Sequence, residues 1–119
     1  MMKTINLEDL KKYLGQELTV HIDRPLGSKH PDYETIYTVN YGYIKEVIAG
    51  DNECLDVYVL GVHKPIKCFT GKCIAMIYRQ NDCEDKLVVA PKDLTFTNQE
   101  IEKLVNFQEQ YFKHCIITT

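Results

Sequence analysis

The stretch Asn40-Tyr41-Gly42-Tyr43-Ile44-Lys45-Glu46-Val47-Ile48-Ala49-Gly50-Asp51-Asn52-Glu53-Cys54-Leu55-Asp56 reads as a strand, a tight acidic turn and the start of a second strand. Gly50-Asp51-Asn52 is turn chemistry: glycine accepts a positive φ, and Asp and Asn side chains bond their own backbone. In an extended chain residues i and i+2 share a face, so Tyr41 and Tyr43 point the same way. Asp51 and Glu53 converge by the same rule if the turn stays extended. Asp56 has the other parity and joins them only if the chain bends. Three carboxylates therefore fall within six residues, and close carboxylates repel unless solvent, protons or a cation intervene. Taken alone, such a turn reads first as a solvated hairpin connection.

Outward from this turn the two strands run from Thr38 to Ile48 and from Leu55 to Gly61. On the second, Leu55, Val57 and Val59 take one face, and Asp56, Tyr58 and Leu60 the other. Glu17–Ile22 alternates and predicts a strand, as does Lys67–Arg79, where Gly71 is the expected site of a bulge. Lys86–Ala90 is a compact strand closed by Pro91, and Gln80–Asp85 is a polar turn. Arg24–Tyr37, with two prolines and a glycine, reads as a loop that is long for a compact domain; such loops are often functional.

Helices are expected only at the ends. Asn6–Leu14 has Asn6 as cap, acids in its first turn, Leu7, Leu10 and Leu14 on one face, and Gly15 as a stop. Thr97–Lys113 opens on a capping box, Thr97 with Glu100, and carries Ile101, Leu104, Val105, Tyr111 and Phe112 on one face. The pattern predicts one mainly β domain over residues 1–119, a small closed or half-closed barrel with an N-terminal and a C-terminal helix.

With 119 residues, 45% hydrophobic and 26% charged, the chain has an ordinary globular composition. A net charge of -3 gives no general attraction to nucleic acid or anionic membrane. No apolar run approaches a membrane span, and the N-terminus turns acidic with no signal-peptide core, so a cytosolic location is expected. Five cysteines, odd in number and irregularly spaced, predict reduced thiols; Cys68 and Cys73 lack the spacing of a zinc knuckle. The four histidines are scattered, and only His30, inside the long loop, stands out as more than structural.

Clustered carboxylates are hard oxygen ligands suited to Mg²⁺, Mn²⁺ or Ca²⁺. Mg²⁺ in particular favours sites with a few carboxylates plus substrate phosphates. A divalent cation acidifies the water it binds, and a nearby carboxylate such as Glu53 can take the proton. Tyrosine hydroxyls and lysines hold phosphate oxygens. There is no nucleophile elbow, Walker loop or dinucleotide fingerprint.

At this point the sequence resembles the soluble (family I) inorganic pyrophosphatases. The resemblance lies in Asn40-Tyr41-Gly42-Tyr43-Ile44 followed by Asp51-Asn52-Glu53-Cys54-Leu55-Asp56-Val57, then in Lys86-Leu87-Val88-Val89-Ala90-Pro91, and more weakly in Gln108-Glu109-Gln110-Tyr111. It implies a five-stranded OB-like barrel with flanking helices, and Mg²⁺-dependent hydrolysis of pyrophosphate. It implies Asp51 and Asp56 as metal ligands, with Glu84 or Asp85 supplying a later metal carboxylate. Glu53 stands where the family has the aspartate that activates the attacking water. Tyr43, Lys86 and Tyr111 become phosphate contacts, and Asp23 stands where the family has a glutamate. The departures are Glu at 53, Cys54 for proline, Phe112 where the family has lysine, and Arg79 where a further metal aspartate aligns. Arg24 and Lys29 are the replacements for early phosphate-binding cations.

Pyrophosphate hydrolysis with Mg²⁺ is thus the first expectation, with another phosphoanhydride as the variant. A pyrophosphatase-like domain that binds metal or phosphate without turnover is the second. The third is an oligonucleotide-binding barrel using Tyr41, Tyr43 and Tyr58 as stacking platforms, against which the acid cluster counts. No nucleic-acid or membrane partner is expected, and self-association as a homo-oligomer is left open.

Overall fold

The computed structural model describes residues 7–48, 54–80 and 85–118. The elements are α1 (Leu7–Lys11), β1 (Glu17–Arg24), β2 (Asn40–Ile48), β3 (Cys54–Val59), β4 (Cys68–Arg79), β5 (Lys86–Ala90), α2 (Asn98–Glu109) and β6 (His114–Thr118). The strands hydrogen-bond in the order β1-β2-β3-β5-β4-β6, and β1 pairs again with β4. That second pairing closes β1 to β5 into a five-stranded barrel and leaves β6 as an outer strand on β4. The long β4 serves three partners: β1 at its start, β5 in its middle and β6 at its end.

Alternation separates two cores. Val20, Ile44, Leu55, Val57, Met76 and Leu87, one or more from each barrel strand, fill the interior, and Leu10 of α1 plugs it. Tyr41, Tyr58, Ile77 and Val88 face outward and are covered by Ile101 and Val105 of α2. Both clusters are cut off from water, so both drive closure by apolar burial.

Two glycines are needed by close approach. A Cβ on Gly42 would stand 1.9 Å from the His21 carbonyl oxygen, so only glycine lets β2 lie against β1 here. A Cβ on Gly71 would stand 2.6 Å from the Ala90 carbonyl oxygen. Gly71 therefore marks close packing rather than the expected bulge, which falls between Cys73 and Ala75. The bulge switches parity, so Cys73 and Met76 point inward while Ala75 and Ile77 point outward.

Strands β1 to β5 fall where expected; β6 and the helices differ. The N-terminal helix expected over Asn6–Leu14 is not formed at that length. Among the described residues of that span only Leu7–Lys11 is helical, and the chain then tightens into turns with Tyr13 N–H to Leu10 O (3.1 Å) and Leu14 N–H to Lys11 O (3.2 Å); Asn6 lies outside the described residues. The tightening lets Gly15 N–H reach the Cys73 carbonyl and Cys73 N–H reach the Gln16 carbonyl, each at 2.8 Å. The strand ladder thus outcompetes one more helical turn.

The capping box of α2 is as expected: Thr97 accepts from Glu100 N–H, and Glu100 accepts from Thr97 N–H. The helix ends at Glu109, not at Lys113, and the chain continues into β6, an unexpected strand.

The Arg24–Tyr37 segment is folded, not a plain loop. Gly27 N–H bonds Tyr37 O (2.7 Å), Tyr37 N–H bonds Ser28 O (2.8 Å) and His30 N–H bonds Thr35 O (2.9 Å). Its base is fixed by buried Asn40, whose Oδ1 accepts from Leu26 N–H and Ile66 N–H while its Nδ2 donates to the Lys64 carbonyl. Cys54, Cys68, Cys73 and Cys115 are free thiols, and Cys83 lies outside the described residues. Burial pushes the Cys73 thiol up to about 12.

Candidate active site

The register of the barrel sets out the site. His21 of β1 faces Tyr43 of β2, Tyr43 faces Asp56 of β3, Asp56 faces Lys86 of β5, and Lys86 faces Ile77 of β4. One row of side chains thus crosses all five barrel strands on the outer face. The next row runs Arg24, Tyr41, Tyr58, Val88 and Ala75. Tyr41 and Tyr43 do share a face, and Asp56 is on it with them.

These rows open onto a cavity of about 1230 Å³ between the outer barrel face, the folded 24–37 segment and the chain just beyond α2. At its floor Lys86, almost fully buried, donates through Nζ to Asp56 Oδ2 at 2.9 Å. The Asp56 side chain keeps 30% exposure, so its carboxylate remains open to the cavity. The Lys86 ammonium also lies 5.6 Å from the Tyr41 ring centroid. Burial, then the Asp56 charge, push the Tyr41 phenol well above its usual range, so it is a neutral O–H donor to Asp56. Asp23, an exposed residue, lines the same cavity. Partial burial raises its carboxyl, Arg24 pulls it down, and the Asp56 charge pushes it up again. The Asp23 and Asp56 carboxylates therefore repel each other across the cavity.

The inner wall is a second buried ion pair. Arg79, at the end of β4, donates through Nε to Glu109 Oε1 (3.0 Å) and through Nη2 to Glu109 Oε2 (2.6 Å). Its guanidinium stacks on Phe112, 3.7 Å from the ring centroid. Tyr58 O–H donates to Glu109 Oε2 (2.7 Å), Gln108 Nε2 donates to Tyr58 Oη (2.6 Å), and Tyr37 O–H donates to Gln108 Oε1 (2.9 Å). Burial, then the Glu109 charge, lift the Tyr58 phenol well above its usual range. This wall was not foreseen. Its signal was Glu109 itself, which continues the four-residue spacing of Ile101 and Val105 on the buried stripe of α2. A carboxylate at that position needs a buried cation.

The structure gathers Tyr43, Asp56, Lys86, Arg24 and Tyr111 around the one cavity. Tyr111 follows the end of α2 and is 70% exposed, whereas the pattern put it on the apolar face of a helix running to Lys113. Asp85 stands behind the wall: it is buried, and its Oδ1 accepts from Arg79 N–H at 3.0 Å. Lys29 pairs with Glu34 at 3.0 Å on the outer loop and does not line the cavity. Asp51, Glu53 and Glu84 lie outside the described residues. Among the described residues no group of three or more His, Cys, Asp or Glu side chains could hold a metal. Tyr41 and Tyr58 are buried under α2, which removes two of the three stacking platforms of an oligonucleotide-binding surface.

Compared with known proteins, residues 11–116 match the profile of the family described as inorganic pyrophosphatase. The chain belongs to the inorganic pyrophosphatase family. It is 31% identical over 116 residues to an inorganic pyrophosphatase of Saccharolobus solfataricus, an alignment covering 84% of this chain and 64% of that relative. The chain thus spans under two thirds of that protein's length. Its fold is that of solved pyrophosphatases. The Ehrlichia chaffeensis structure superposes with a TM-score of 0.68 at 16% identity, covering 88% of this chain and 87% of that one. The Neisseria gonorrhoeae structure gives 0.64 at 19% identity, covering 82% and 74%. Among the described residues no helix is long and apolar enough to cross a membrane.

Proposed function

We propose that the chain hydrolyses inorganic pyrophosphate to two phosphates by direct attack of water. The carrying observation is the Tyr43–Asp56–Lys86 row opening on one cavity in a chain of this family. Asp56 and Asp51 are the proposed Mg²⁺ ligands, with Glu84 as the later carboxylate, because Asp85 is engaged by the Arg79 amide. When bound, the cation supplies Lewis acidity and offsets substrate charge.

The chain's own groups do the rest. Lys86 and Arg24 attract the phosphoryl oxygens, and the Tyr43 and Tyr111 hydroxyls orient them. Glu53 takes the proton of the attacking water. The buried Arg79–Glu109 pair holds the wall against which these groups are set.

The test is phosphate release from pyrophosphate with Mg²⁺ present and after chelation. Release that needs the cation supports the reading. No release in either condition, with pyrophosphate still bound, establishes a binding domain instead.

A further inference from the structure

The cavity divides into a charged floor and an aromatic mouth. Arg24, Asp56 and Lys86 line the charged part, with Lys86 almost fully buried. His30 and Tyr33 stand at the mouth, with Tyr33 66% exposed. The mouth rings continue inward as a ladder. Tyr33 and His30 have centroids 4.8 Å apart, His30 and Tyr37 stack at 6.3 Å with an interplanar angle of 11°, and Tyr37 meets Tyr41 at 5.2 Å. The segment carrying His30 and Tyr33 is held by its own backbone rungs and by the Asp32 N–H bond to His30 Nδ1 at 3.0 Å. These rings are therefore placed before any ligand arrives.

Pyrophosphate offers no apolar surface to such rings, and it fills little of about 1230 Å³. Pockets for whole drug-sized ligands run to roughly 300–1,000 Å³. A ligand that uses both halves carries a phosphoanhydride at one end and a flat π-system at the other.

Resting on the pyrophosphate-cleaving reading above, we propose that this site takes nucleoside polyphosphates, with the base stacked on His30 and Tyr33 at the mouth and the phosphates at Arg24 and Lys86. In the reaction, water oxygen bonds to the terminal phosphorus as the bridging P–O bond breaks. The bridging oxygen leaves with the nucleoside diphosphate, and the water proton passes to solvent through the Glu53 carboxylate. Stacking of one base on an aromatic side chain is enough to favour a nucleotide over a bare polyphosphate by about tenfold.

The experiment compares phosphate release from pyrophosphate, inorganic tripolyphosphate and ATP, by wild type and Tyr33→Leu. Tripolyphosphate presents the same phosphate chain without a base. The expected result is kcat/KM for ATP about tenfold or more above that for tripolyphosphate, and a ratio that drops about tenfold in Tyr33→Leu. Equal rates for ATP and tripolyphosphate, or a ratio unmoved by the substitution, overturn the inference while leaving pyrophosphate cleavage standing. If no substrate is cleaved, the catalytic reading fails separately, and calorimetric binding of ATP against tripolyphosphate decides the mouth. Tighter ATP binding that Tyr33→Leu abolishes supports it, and equal binding overturns it. A concentration-dependent dimer lost in Tyr33→Leu, with no nucleotide preference, assigns the rings to a second copy of the chain and also overturns it.

Discussion

The two faces of strand β3 differ in everything but backbone. Leu55, Val57 and Val59 point into a closed aliphatic interior that needs volume and dryness but no particular partner. Asp56 and Tyr58, one residue out of phase, point to the other face, where each polar group has a named partner: Lys86 for Asp56, and Glu109 and Gln108 for Tyr58. The interior face holds the barrel together, and the outer face spends that rigidity on positioning charge. A change inside should therefore cost stability, while a change outside should cost chemistry or leave a charge unpaired.

The strongest way to break this contrast is at the buried ion pair. Glu109→Gln removes the carboxylate charge that meets the buried Arg79 guanidinium, and the expected destabilisation is about 3–5 kcal/mol in denaturant unfolding. The double change Arg79→Met with Glu109→Leu should recover most of that loss, because a well-packed apolar pair often replaces a buried ion pair at little cost. A double variant no more stable than the single would show that the wall is held by something other than this pairing.

Leu87→Ala, on the interior face, should cost about 2–5 kcal/mol through lost burial and a residual cavity. Its phosphate release per folded molecule should stay near wild type. A large loss of turnover at full folding would erase the distinction between the faces.

The smallest effect lies on neither face. His114 Nε2 sits 2.9 Å from Glu102 Oε1 and its Nδ1 2.8 Å from the Phe112 carbonyl. Burial disfavours the charged ring, but the Phe112 carbonyl, Glu102 and the Glu109 charge outweigh it and raise the pKa above 6.5. A raised folded pKa means that the stabilisation is fully present below about 6.5 and is lost as pH rises through the folded value. His114→Gln should flatten the stability profile in that window by a modest amount. An unchanged slope would show that the pair does not tie α2 to β6.

Much of the outer face was legible in the sequence because strand alternation is local. Tyr41 with Tyr43, and Asp56 opposed to Val57, follow from a period of two. The capping box at Thr97 was legible for the same reason. Less legible were features set by distant pairing. The Leu7, Leu10 and Leu14 spacing suits a helix, yet the ladder at Cys73 cuts it short. The His114–Thr118 strand is too short to stand out beside a helical pattern and exists because β4 is long enough to pair with it. Glu109 drew no reading of its own, because the reason for its burial is Arg79, thirty positions earlier. The resemblance offered Glu84 or Asp85 as a metal carboxylate without choosing between them, and the hydrogen bond from Arg79 N–H to Asp85 is a tertiary contact that no local pattern announces.

The central claim is that the outer row ending in Asp56 and Lys86 performs phosphoanhydride hydrolysis. It is tested most directly by phosphate release from pyrophosphate with saturating Mg²⁺, comparing wild type with Asp56→Asn at matched folded fraction. Asparagine keeps the shape but removes the charge that faces Lys86 and the cavity. The account predicts a fall in kcat/KM of roughly a hundredfold or more, the scale of losing an electrostatic group at a reacting centre. Equal kcat/KM in the two proteins would contradict it.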